Sequence, residues 1–217
     1  INNTFWENPG LSLYDRAVGT TNLRFGDNDS GKITYLSPRF AGVQLGVSFI
    51  PQLEGGGDNN SSLKIGENNI NNTWAGGINW TEDFNGFGVQ LSGGAMYGET
   101  GADSVTGTDD NLFAWNGGAQ FSYAGFSFGG AYSRGEQGSY GPGNRANSTG
   151  WTVGAAYEVG PYTVGIGYMK GQGNPSTSGG KSHLDQGNIS GSYQLGPGIR
   201  LVGGVFAFDG ENEGNTQ

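Results

Sequence analysis

The residues near the start of the chain are the ones whose types and spacing bear on chemistry. Asp15 and Arg16 are adjacent, Arg24 follows, and Asp27, Asn28 and Asp29 lie just beyond it. Two guanidiniums beside three carboxylates make a set of fixed charges of both signs. Around a water-filled opening, such a set selects among ions and orients polar solutes. On an ordinary loop the same residues form surface salt bridges that contribute little. The residue types admit both readings. The run Asp27-Asn28-Asp29-Ser30-Gly31 also matches the start of a calcium loop, but Pro38 stands where such a loop needs its bidentate Glu, so a turn or a carboxylate pair fits better. His183 is the single histidine and lies in a Gly/Ser loop near Lys181. A catalytic triad or a zinc site needs its histidine in a strand-end or helical context with partners, so His183 reads as a surface residue. There is no cysteine, hence no thiol nucleophile, disulfide framework or thiolate metal site. No catalytic residue, cofactor-binding residue, cofactor or metal ligand is assigned.

The elements that must position these residues follow from composition and period. The chain has 217 residues, a net charge of −9, 45 Gly, 7 Pro and 12% aromatic residues. The absence of a G-X-Y period excludes collagen, and the aromatic content argues against disorder. The acidic balance disfavours nucleic acid as a partner, because phosphate neutralisation needs basic patches. Mean hydropathy is −0.46, and no apolar run approaches the ~18 residues of a membrane helix. A membrane strand needs no such run, because only alternate residues of a ~10-residue segment meet lipid. The chain opens on Ile1-Asn2-Asn3 without an initiator Met or a leader pattern, so the start of the gene product is expected to be missing.

The stretch from Trp151 to Lys170 sets the pattern. Trp151, Val153, Ala155 and Tyr157 share one parity against Thr152, Gly154 and Ala156. After Gly160-Pro161, the residues Tyr162, Val164, Ile166 and Tyr168 resume the apolar parity against Thr163, Gly165, Gly167 and Met169. That is a β-hairpin with aromatics at the ends of its bulky face and, on the other face, residues too small to fill a core. Bulky residues facing lipid and small ones facing a wide water-filled lumen satisfy both faces. A β-solenoid or a Gly-rich soluble β-protein is the competing reading. Four more hairpins repeat the unit, with turns centred near Phe40, Phe84, Ala124, Gly160 and Pro197, every 36 to 44 residues. Each unit holds two strands, one short turn and one long polar loop, the meander of an up-and-down barrel rather than a four-stranded propeller blade. The acidic residues fall in loops and turns, and Arg200 alone is expected well inside a strand, facing the lumen with Gln90, Asn116 and Gln120. The interface aromatics are Trp74, Trp80, Tyr97, Trp115, Tyr132, Trp151, Tyr157, Tyr162 and Tyr168.

The run from Arg24 to Ser48, RFGDNDSGKITYLSPRFAGVQLGVS, resembles the general bacterial porins of the Gram-negative outer membrane. It carries, in the family's order, an Arg, a short Asn/Asp element, a strand of the type I-x-Y, a turn S-P-x-F-x-G and a strand running into G-V-S. The repeating hairpins extend the resemblance over essentially the whole chain. The resemblance implies an all-β, antiparallel up-and-down transmembrane β-barrel of the sixteen-stranded trimeric type, of which about ten strands are present. Residues 1–31 would be the inward-folded constriction loop, with Asp15, Arg16, Arg24, Asp27 and Asp29 at the pore constriction. Residues 32–217 would be barrel hairpins with long external loops, and the chain would be a fragment that lacks the early strands and the closing strand. The expected function is a non-enzymatic outer-membrane channel, mildly cation-preferring, for passive diffusion of ions and small hydrophilic solutes. Its partners would be the lipid bilayer of the outer membrane, lipopolysaccharide at the long loops and two further copies in a homotrimer. A Gly-rich surface adhesin or surface-layer β-protein, and an outer-membrane hydrolase, are the alternatives.

Overall fold

The computed structural model describes residues 31–53, 70–100, 111–137, 146–173 and 182–212. These form ten strands: β1 (Ile33–Leu36), β2 (Val43–Leu53), β3 (Ile70–Phe84), β4 (Phe87–Thr100), β5 (Leu112–Tyr123), β6 (Phe126–Gln137), β7 (Ala146–Val159), β8 (Tyr162–Gly173), β9 (Ser182–Gly196) and β10 (Ile199–Asn212). All ten lie in one sheet in sequence order, each antiparallel to its neighbours in the chain. The up-and-down meander expected from the repeating hairpins is therefore the observed topology.

Turn chemistry fixes the hairpins. Asn85-Gly86 and Ala124-Gly125 have positive φ at both central positions, 56° and 89°, then 49° and 84°. This is the type I′ geometry, whose twist matches that of the flanking strands. Ala41-Gly42 does the same before β2, with 45° and 76°. Gly160 (57°) precedes Pro161, which fits type II′, and Gly198 (78°) follows Pro197, which fits type II. The ladders run further than the apolar alternation does. Thr81 to Asp83, expected in a turn, belong to β3, where Asp83 pairs with Gly88. Ala146–Thr149 and Ser182–Gln186, expected in loops, begin β7 and β9. Charged residues consequently lie inside strands more often than expected: Glu82, Asp83, Glu99, Arg134, Glu136, Glu158, Lys170, Asp185, Asp209 and Glu211 as well as Arg200. Backbone pairing does not end where lipid-facing side chains end, and these charges occupy the overhang.

The two faces of the sheet invert the usual order of a soluble protein. Along β8, Thr163, Gly165, Met169 and Gly171 are buried, while Tyr162, Val164, Ile166 and Tyr168 are exposed. Registry carries this division across the sheet. Ile166 lies between Ala155 and Ile189, and Gly167 lies between Gly154 and Asn188. The outer face thus presents Leu45, Ile78, Leu91, Phe128, Val153, Val164, Ile189 and Leu201, all exposed, in one continuous apolar surface. A monomeric soluble protein rarely exposes more than a few hundred Å² of contiguous apolar patch. A lipid-facing wall removes that conflict.

Candidate functional site: the inner wall and its rims

The inner face is built mainly from small and neutral polar side chains. Its buried residues include Ser48, Thr73, Asn116, Thr163, Gln186, Asn188, Ser190 and Ser192. Gln90 pairs with Gln120, and Asn116 lies between Gly94 and Ser133, so the three neutral residues expected to share this face do so. Arg200 pairs with Gln194 on the same face, and its Nε donates to Gln194 Oε1 at 3.0 Å. The inner face also carries apolar residues, among them Met169 at the inner parity expected for it. Ile50, Met96, Leu112 and Met169 are buried there. On β10, Val202, Phe206 and Phe208 take the inner parity opposite Ser192, Asn188 and Gln186. The two phenylalanine rings lie 6.3 Å apart and are 51% and 66% exposed, on a strand that has no second neighbour in the sheet. Gln186, flanked by Met169 and Phe208, is only 1% exposed, and neither its amide oxygen nor its amide nitrogen has a hydrogen-bond partner among the described residues.

All nine aromatics expected on the outer face are there, in two rows. Nearest the long connections run Trp74, Tyr97, Trp115, Tyr132, Trp151 and Tyr168, with ring centroids 5.4 Å apart for Trp115 and Tyr132 and 5.3 Å for Trp151 and Tyr168. Nearest the turns lie Trp80, Tyr157 and Tyr162, joined by Phe84, Phe87, Phe121, Tyr123, Phe126 and Tyr193. The rows keep step. Trp74 and Trp80, Trp115 and Phe121, Phe126 and Tyr132, Trp151 and Tyr157, and Tyr162 and Tyr168 are each six residues apart. Six residues of strand span about 20 Å, or about 15 Å of height at a barrel tilt near 40°. Two pairs of outer-face charges stand at the loop end. Arg134 meets Glu136 at 2.7 Å and Lys170 meets Asp185 at 3.2 Å, while the Tyr168 hydroxyl donates to Asp185 at 2.6 Å.

The charges of the inner face gather at the other end. Asp83, Glu158 and Arg200 each stand next but one to a turn residue. Arg39, in the connection from β1 to β2, reaches over the same face. One of its terminal nitrogens donates to the Gly42 carbonyl at 2.6 Å, and the other donates to Gln44 Oε1 at 3.2 Å and Asn79 Oδ1 at 2.7 Å. Gln44 and Asn79 are cross-strand partners on the inner parity. Sequence reading missed Arg39. Its place in the S-P-R-F-A-G turn gives no parity, and only folding brings Asn79 beside it. Asp15, Arg16, Arg24, Asp27 and Asp29 lie outside the described residues.

A continuous antiparallel sheet that is bulky outside and polar inside, with aromatic rows bounding its apolar band, defines a β-barrel protein of the outer membrane that crosses it many times. The chain belongs to the Gram-negative porin family, whose sequence signature matches residues 1–213. Among solved structures it is similar to OmpT of Vibrio cholerae, an outer membrane protein, and to a mutant of it with one loop deleted. Against the mutant the TM-score is 0.56 at 12% identity, covering 84% of this chain and 58% of that one. Against the expressed OmpT it is 0.56 at 12%, covering 83% and 54%. The chain therefore spans just over half the length of these structures, and at this identity the likeness speaks for the fold. No curated protein sequence matches the chain.

Proposed function

We propose that this wall encloses a water-filled channel through which ions and small hydrophilic solutes cross the outer membrane by passive diffusion, without enzymatic chemistry. The observation that carries this reading is the inverted polarity of the sheet. Gly, Ser, Asn, Gln and Thr occupy most of the inner face, opposite a lipid-compatible outer one, and neutral hydrogen-bonding groups let hydrated solutes pass without holding them. The rows of rings serve as the two interface belts. Residues 1–31 act as the inward constriction, where Asp15, Arg16, Arg24, Asp27 and Asp29 set a mild preference for cations. The complete barrel is the sixteen-stranded trimeric kind, with lipopolysaccharide at the long connections. The constriction, strand number and trimer rest on the sequence resemblance. Planar-bilayer recording tests the central claim: stepwise conductance and a reversal potential of cation-preferring sign under a salt gradient are expected. Purified protein that leaves the bilayer silent would overturn the channel reading.

A further inference from the structure

Within the strands, the middle of the inner wall carries no formal charge. Thr34, Ser48, Ser92, Asn116, Ser133, Thr152, Asn188 and Ser190 line it between glycines, and the formal charges assigned to this face within the sheet and its turns stand at the turn end. Four groups are involved there. Asp83 on β3 and Glu158 on β7 are negative, and Arg39 and Arg200 are positive, with Arg39 beside β2 and Arg200 on β10 toward opposite edges of the sheet. Asp83 is engaged locally, because its Oδ1 accepts the Gly86 amide at 2.8 Å and braces the turn.

The two arginines are held differently from the cations of the outer face. Arg134 and Lys170 each have a carboxylate partner. Arg39 and Arg200 have none among the described residues. Their partners are neutral: the Gly42 carbonyl and the Gln44 and Asn79 side chains for Arg39, and the Gln194 side chain for Arg200. Gln194 is itself fixed, since its Nε2 donates to the carbonyl of Ile199 at 3.1 Å as well as to that of Gly196. Amide acceptors orient a guanidinium without cancelling its charge, whereas a carboxylate would do both. Both side chains are exposed.

We propose that Arg39 and Arg200 are specificity-determining residues at the turn-end mouth of the channel, held by amides so that their uncancelled charge draws small anions and anionic solutes such as carboxylates and phosphates into the pore. This rests on the channel reading above and adds to it a second point of ion selection, distinct from the constriction expected within residues 1–31. It would also keep the proposed cation preference mild although the chain is acidic overall.

A unit charge about 7 Å from a passing ion changes the ratio of cation to anion permeability by about two-fold at physiological salt and about five-fold at 10 mM, once screening is included. The test is the reversal potential of the detergent-purified protein in a planar bilayer, for Arg39→Gln, Arg39→Lys and Arg200→Gln beside the parent. Both Gln variants are expected to raise the cation-to-anion ratio by that factor, more at low salt. Arg39→Lys keeps the charge while losing the planar fork that binds Gly42 and Asn79, so it should keep the parent ratio. If the parent conducts and neither Gln variant moves the reversal potential, this inference fails and the channel reading stands. If Arg39→Lys shifts the ratio as far as Arg39→Gln, the loop geometry rather than the charge is responsible, and the proposal is overturned for Arg39. A parent that does not conduct at all refutes the channel reading instead.

Discussion

Replacing Ile166 by Arg probes the assignment of the two faces at its most sensitive point. Ile166 is 57% exposed on the outer parity of β8, flanked by Ala155 and Ile189. It stands two residues from Tyr168 and four from Tyr162, so its Cα lies about 7 Å along the strand from one aromatic row and about 13 Å from the other. That is inside the apolar band, where an arginine facing lipid costs about 2 to 4 kcal/mol, or about 30-fold to 700-fold in the folding equilibrium. The matched control is Gln120→Arg on the inner face, between Gln90 and Gly129, where the new charge meets the lumen and the expected cost is about 0.5 kcal/mol or less. Folding into thin phosphatidylcholine vesicles, titrated with urea and followed by tryptophan fluorescence and gel mobility without heating, measures both. The expected result is a clear loss for Ile166→Arg and near-parent stability for Gln120→Arg. Equal losses, or the reverse order, would refute the lipid-facing assignment and with it the barrel as a membrane wall.

Two further predictions concern single groups. Gln186→Met removes two buried amide atoms that have no partner among the described residues and keeps the length of the side chain beside Met169 and Phe208, so the same urea titration should show a gain of about 1 to 3 kcal/mol; a loss would mean that the amide is satisfied in the membrane. Gly125→Ala should cost more than Gly86→Ala, because both positions have positive φ but a Cβ at Gly125 meets the Glu158 carbonyl oxygen while one at Gly86 meets nothing. The backbone strain common to both is about 1 to 2 kcal/mol, and matching urea midpoints would show that the steric contact is relieved by a shift of the strand.

The fold was legible because alternation is a local signal. Val43 to Phe49, Trp151 to Tyr157 and Tyr162 to Tyr168 each declare their outer face without knowledge of their neighbours, and Gly160-Pro161 and Pro197-Gly198 declare the turns. Strand ends were not legible, because at Asp83, Ala146 or Ser182 the ladder continues through residues whose side chains have left the apolar band. Only cross-strand pairing reveals that continuation. The inner apolar residues of β10 escaped for a related reason. Val202-Gly203-Gly204-Val205-Phe206-Ala207-Phe208 is apolar on both parities, so the period assigns no face until β9 fixes the register. At the site, Gln90, Asn116, Gln120 and Arg200 followed from parity. Arg39 did not, because its three acceptors come from Gly42, Gln44 and Asn79, the last of them forty residues away in sequence.

The six-residue step between aromatic rings, repeated on five of the strands, makes the wall a gauge of membrane thickness. Wherever the step recurs, on β3, β5, β6, β7 and β8, the rings bound the same height, so this stretch of wall fits one slab of hydrocarbon rather than a range of them. Adding the reach of the rings to the ~15 Å between Cα levels gives a band near the ~25 Å typical of outer-membrane barrels, short of the ~30 Å core of an average bilayer. In a thicker membrane every one of these strands would be mismatched in the same direction, at a fraction of a kcal/mol per Å, and no strand could compensate for another. Bilayer thickness alone would then favour the thin outer membrane over thicker ones, before any receptor or targeting signal acts.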